Sequence, residues 1–62
     1  MHFYKITTET GEEYAVESKS PMSDRRALEE AVDQHLIDEG EASESSVEEI
    51  DEEQYEELLL IS

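Results

Sequence analysis

The chain has 62 residues, no cysteine, four Lys and Arg against nineteen Asp and Glu, and a formal net charge of −15. A domain of that length buries only about 60% of the surface its unfolded chain exposes, so residues 1–62 make one domain with a small core and no internal linker. The composition excludes disulfides and thiolate zinc sites, and four scattered bases cannot neutralise the phosphates of a bound nucleic acid or an anionic membrane surface.

The charge is unevenly placed. All four bases (Lys5, Lys19, Arg25, Arg26) fall in the first twenty-six residues beside five acids, whereas residues 27–62 hold fourteen acids and no base. Eleven of those lie between Asp38 and Glu57. Self-repulsion of this size opposes compaction while keeping the chain dissolved. No apolar run approaches a membrane span, and the first ten residues do not have the form of a signal peptide. The expected location is the cytoplasm.

The predicted elements describe an α+β domain in the order ββαβα. Residues 2–8, HFYKITT, alternate with β-branched and aromatic side chains, as do residues 13–18, EYAVES. With Thr10-Gly11 between them they predict a β-hairpin, Tyr4 and Ile6 lying against Tyr14 and Val16. Ser20-Pro21-Met22-Ser23-Asp24 opens a helix, capped by Ser20 or by Ser23. Ala27, Leu28, Ala31, Val32, His35 and Leu36 form its apolar stripe. Gly40 is its expected stop, giving a helix over about 22–39.

Residues 40–46 read as a loop and 47–50 as a short third strand, with Val47 and Ile50 turned inward. Asp51-Glu52-Glu53-Gln54 is a capping-box pattern, with Ile50 and Tyr55 placed as a hydrophobic staple. A C-terminal helix is therefore expected over about 52–60. The run Tyr55–Ser62 also admits a strand, because Leu60 and Ile61 extend the apolar sequence beyond one helical face.

No reaction is legible. There is no cysteine nucleophile, Gly-rich phosphate loop or Gly-x-Ser-x-Gly turn, and a chain this short has little core from which to build the apolar pocket an acid–base carboxyl pair requires. His35 reads as a half-buried helix histidine, and His2 is the only other histidine that could join it at a metal. The acidic run does not follow the calcium-loop pattern of the EF-hand. The expectation is a non-enzyme with no cofactor and no metal.

The acids themselves are the candidate site: Glu29, Glu30 and Asp33 on the first helix, Glu41 and Glu44 in the loop, Glu48 and Glu49 on the strand, and Glu52, Glu53, Glu56 and Glu57 on the last helix. Like charges four apart on a helix destabilise it by roughly 0.2–0.5 kcal/mol per pair. The pairs Glu49–Glu53, Glu52–Glu56 and Glu53–Glu57 are all of this kind. A high-salt cytoplasm would favour acids, but it predicts more Asp than four against fifteen Glu, and an even spread along the chain. Imitation of a nucleic acid accounts for rows of Glu: side chains four apart on a helix stand about 5–6 Å apart, comparable to successive phosphates on one strand. Leu58, Leu59, Leu60 and Ile61 exceed what a terminal helix needs for the core, which marks them as a candidate homodimer interface.

In length, charge, the segment SSVEEIDEEQYEELL and the lack of a catalytic motif, the chain resembles the small acidic DNA-mimic proteins encoded by bacteriophages. Within that class the likeness is greatest to phage inhibitors of the bacterial nucleoid protein HU. The resemblance implies inhibition of a basic host protein by occupation of its DNA site. Uracil-DNA glycosylase, restriction enzymes, Cas effectors, the RecBCD nuclease and RNA polymerase remain open as targets. The competing reading is a small acidic adaptor that binds a partner through the apolar face of its C-terminal helix.

Overall fold

The structure, a computed structural model, describes residues 1–61, Ile61 only through its place in the last helix. Strands β1 (His2–Thr7), β2 (Glu13–Ser18) and β3 (Ser46–Ile50) form one antiparallel sheet, with β1 in the centre and the order β2-β1-β3. Three helical segments join it: α1 (Asp24–Asp33), α2 (Glu39–Ala42) and α3 (Glu52–Ile61). The chain order is ββααβα, an α+β fold with one more helical turn than the sequence predicts.

The hairpin closes as its residues require. Gly11 N–H donates to the Thr8 carbonyl at 3.0 Å, and Gly11 sits at φ +89°, the left-handed position that ends a three-residue hairpin loop. The Thr8 hydroxyl, buried at the base of the loop, accepts from the Glu12 amide at 3.1 Å. Tyr4 pairs with Val16 and Ile6 with Tyr14, the expected register.

The two faces of the sheet are covered by different helices. Tyr4, Ile6 and Val16 point to one face and meet Ala27 and Ala31 of α1, with Ile37 closing the cluster. The Tyr4 hydroxyl accepts from the Met22 amide at 2.8 Å, holding the entry to α1 against the central strand. Phe3 and Lys5, one residue out of phase, point to the other face. There α3 covers them, with the Phe3 and Tyr55 ring centroids 4.6 Å apart. Because both faces are covered, Val47 and Ile50 can both turn inward although they lie three residues apart: Val47 pairs with Ile6 on the α1 side and Ile50 with Phe3 on the α3 side.

The first helix is shorter than expected. Of the two candidate caps, Ser23 is the one used, its Oγ accepting from the Arg26 amide at 3.2 Å. The helix ends at Asp33 and not near residue 39. His35 takes φ 61°, its amide donates to Val32 O, and the Leu36 amide donates to Ala31 O at 2.9 Å. This pair of bonds is a Schellman stop. The stop has a packing cause. A continued helix would turn Ile37 about 100° away from the line of Ala27 and Ala31, and the break returns it to the core. Burying such a side chain is worth roughly 1.5–3 kcal/mol. His35 is accordingly exposed at a turn, not half-buried on a helix face, and Gly40 is no stop but lies inside α2. His35→Gly is expected to raise stability by roughly 0.5–1 kcal/mol, since a non-glycine residue is strained in the left-handed region. A thermal melt followed by circular dichroism checks it.

Segment α2 replaces part of the loop expected over 40–46. Asp38 precedes it and donates its amide to Glu41 Oε1 at 3.4 Å. At Asp51, the predicted cap of the last helix, the pattern holds in full. Asp51 Oδ1 accepts from the Gln54 amide at 2.8 Å, Gln54 Oε1 receives the Asp51 amide, and α3 begins at Glu52. Tyr55–Ile61 is helix and not strand.

Candidate functional site

The sheet separates the predicted acidic residues into three groups. Glu29, Glu30 and Asp33 lie on α1, on the Tyr4–Ile6 side. Glu29 is bracketed by Arg25 Nε at 3.7 Å and Arg26 Nη1 at 3.3 Å, while Glu30 meets Arg26 Nη2 at 3.9 Å and the Gln34 amide at 3.1 Å. These are exposed pairs of modest strength, but they engage both arginines of the chain with acids of their own helix, α1.

Glu41 and Glu44 belong to the second group, at the end of the sheet where the hairpin turns. There the Glu44 carboxyl, when protonated, can hydrogen-bond that of Glu9, and this together with partial burial raises the Glu44 pKa above its ordinary 4.5. On the neighbouring strand the Tyr14 hydroxyl donates to Glu12, and this bond raises the phenol above its ordinary value, with burial and the charges of Glu12 and Glu41 adding to it.

The third group is β3 with α3. Glu48 and Glu49 alternate across the strand. Glu48 reaches Lys5 Nζ at 3.3 Å, opposite Glu13 at 3.4 Å, and Glu49 accepts from or pairs with His2 Nδ1 at 3.2 Å. Hydrogen bonds from Lys5 to Glu48 and Glu13, reinforced by their charge, raise the Lys5 pKa above its ordinary 10.5. Glu49 is thus a strand residue, and its expected helical repulsion with Glu53 does not arise. On α3, Glu52, Glu53, Glu56 and Glu57 are all exposed, and among the described residues none is within ion-pair distance of a Lys, Arg or His. Glu52 and Glu53 fall in the first turn, where the helix dipole favours negative charge.

The candidate apolar interface also divides. Leu58 is half-buried and lines a cleft with Lys5, Glu13 and Ile50, so it belongs to the fold. Leu59 is 54% exposed and Leu60 85% exposed, on the far end of α3. The side chain of Ile61 lies outside the described residues. Beneath the first turn of α3, burial raises the Tyr55 phenol above its ordinary value, and the charge of Glu17 adds to this.

A surface this unbalanced has a pH and salt signature. For Glu44 the native pKa is raised, so the native state binds the proton more tightly than the unfolded chain. Its contribution therefore favours folding as pH falls from the raised value towards 4.5 and is lost as pH rises above it. General repulsion acts in the same direction. The melting temperature is expected to rise between pH 7 and pH 5, and to rise at pH 7 when salt shortens the screening length from about 10 Å at 0.1 M towards 3 Å at 1 M. Melting curves at both pH values and at several salt concentrations check this.

Among the described residues no three His, Asp or Glu side chains converge to hold a metal ion, and no helix is long and apolar enough to cross a membrane. The chain matches no protein-family model, no curated protein and no solved structure.

Proposed function

We propose that the α3 layer stands in for a DNA backbone and occupies the DNA-binding surface of a basic bacterial protein, with the nucleoid protein HU as the partner of first choice and a phage as the source of the chain. The observation that carries this reading is the sorting of charge. The arginines sit on α1, Lys5 is held between Glu13 and Glu48, and Lys19 pairs with none of the acids of α3, so among the described residues Glu52, Glu53, Glu56 and Glu57 have no cation within ion-pair distance. A ten-residue helix is about 15 Å long, roughly the rise of four nucleotides on one strand. Lys and Arg side chains that release counterions on DNA would find a similar row here, and the chain itself would bind no nucleic acid and no membrane. Inhibition of this kind takes place in the host cytoplasm and involves no catalysis.

The test is displacement. A fluorescently labelled duplex bound to HU should be released by the chain at about 50 mM salt, and release should weaken at least about tenfold by 200 mM. Absence of release at low salt contradicts the choice of HU. Absence of release from other basic DNA-binding proteins as well contradicts the mimic.

The exposure of Leu59 and Leu60 favours a second reading, in which the end of α3 meets protein, either a second copy in a two-fold dimer or a partner of an adaptor. Leu60→Ser separates the readings without touching the core. Loss of self-association in sedimentation with retained DNA release identifies a dimeric mimic, whereas loss of a partner with no DNA release at any stage identifies an adaptor.

A further inference from the structure

The first turn of α3 overhangs a concavity of about 620 Å³ whose floor and rim differ in kind. Its floor is apolar and aromatic: Phe3 and Ile50 from the sheet, paired across the strands, and the Tyr55 ring tilted 34° to that of Phe3. Its rim is anionic, with Glu17 on one side, Glu49 and Asp51 at the strand end, and Glu52 and Glu56 along the helix. Among the described residues His2, already beside Glu49, is the only basic side chain in its lining, which Met1 and Leu59 complete. A simple polyanion surface needs the carboxylates but not the aromatic floor.

We infer that this concavity receives an arginine side chain of the protein partner. Arginine combines what the two parts require: an apolar stem, a planar guanidinium that stacks on an aromatic face, and five donors in a fixed fork for carboxylates. Lysine carries the same charge as a compact, strongly hydrated point, and it gains less from the floor. The inference rests on the reading of α3 as the partner-binding layer and adds an anchor to it. Glu53 and Glu57 then act as a diffuse row, while the concavity fixes one side chain of the partner and with it the register.

The test uses the full chain, labelled with ¹⁵N, and two octapeptides of equal charge, one alternating Arg with Gly and the other Lys with Gly. The arginine peptide should bind about twofold to fivefold more tightly, with its largest amide shifts at Phe3, Ile50 and Tyr55. Tyr55→Leu should weaken the arginine peptide more than the lysine peptide and so close the gap between them. Equal affinity of the two wild-type peptides, or shifts spread evenly along Glu52–Glu57, overturns the inference, and neither observation depends on the variant folding. DNA release from HU distinguishes the two levels. Release by the wild-type chain with no arginine preference removes the anchor and keeps the mimic. An arginine preference mapped to the concavity with no DNA release keeps the anchor and removes the mimic.

Discussion

Replacing Glu56 and Glu57 by lysine is expected to make the chain more stable and less active. On α3 these two residues lie four beyond Glu52 and Glu53, and the like charges repel. The double substitution converts both repulsions into Glu-to-Lys pairs in the favoured order, each change worth roughly 0.2–0.5 kcal/mol. The gain is smaller at position 57, because Glu57 shares a cleft with Lys5. A total near 1 kcal/mol corresponds to a rise in melting temperature of about 4–8 °C for a chain of this size. Binding should move the other way. The magnitude of the formal charge falls by four units from −15, and two of the four carboxylates of α3 become cations facing the proposed basic partner. Like-charge juxtaposition across an interface costs several kcal/mol, so DNA release should weaken by at least about tenfold. Stability and activity changing in opposite directions is the mark of a surface kept for binding. A variant that gained stability and still released DNA from the partner would show that the row on α3 is not the working face.

Ile6→Ala is expected to have the largest effect on folding. Ile6 is 0% exposed in the central strand, between Tyr14 on β2 and Val47 on β3, beneath α1. Large-to-small changes at such a site cost about 2–5 kcal/mol. A chain of 62 residues has a total stability of about 3–9 kcal/mol at the usual range per residue, and the charge places this one at a disadvantage within that range. The melting temperature should fall by at least about 10 °C, with much of the population unfolded at room temperature in dilute buffer. Ser20→Ala, at an exposed position outside the core and away from α3, is the control and should leave the melt unchanged. Circular dichroism melts of the two variants beside the parent chain decide the matter.

The parts of the fold that local chemistry fixes were readable from the residues. The alternation of Tyr4 and Ile6 against Tyr14 and Val16, the glycine at the hairpin turn, and the Asp51–Gln54 cap each depend on neighbours within a few positions. The end of α1 was not readable in the same way. His35 and Leu36 continue the apolar stripe, and only tertiary packing shows that Ile37 is better buried by breaking the helix. A signal for α2 was nevertheless present. Asp38 and Glu41 stand at capping-box spacing, the same pattern that located α3, but Gly40 between them has the opposite connotation. For the acidic site, the residues were identifiable as carboxylates but not as groups. Which of them acquire a cation depends on the sheet lying between α1 and α3, and a linear reading could not place Arg25 and Arg26 on the side away from Glu52–Glu57. The concavity at Phe3 and Tyr55 had only a partial signal, the predicted packing of Tyr55 near Ile50. Its anionic rim draws Glu17 and Glu49 from separate strands.

The central claim is that the uncompensated layer, not the total charge, does the binding. Two variants of equal charge change test it most directly in the HU–DNA release assay. One neutralises α3 (Glu52→Gln, Glu53→Gln, Glu56→Gln), and the other neutralises α1 (Glu29→Gln, Glu30→Gln, Asp33→Asn). The α3 variant should lose at least about tenfold in DNA release and the α1 variant no more than about twofold, since the acids of α1 face away and Glu29 and Glu30 are already paired with arginine. Equal losses, or a larger loss from α1, would contradict the account.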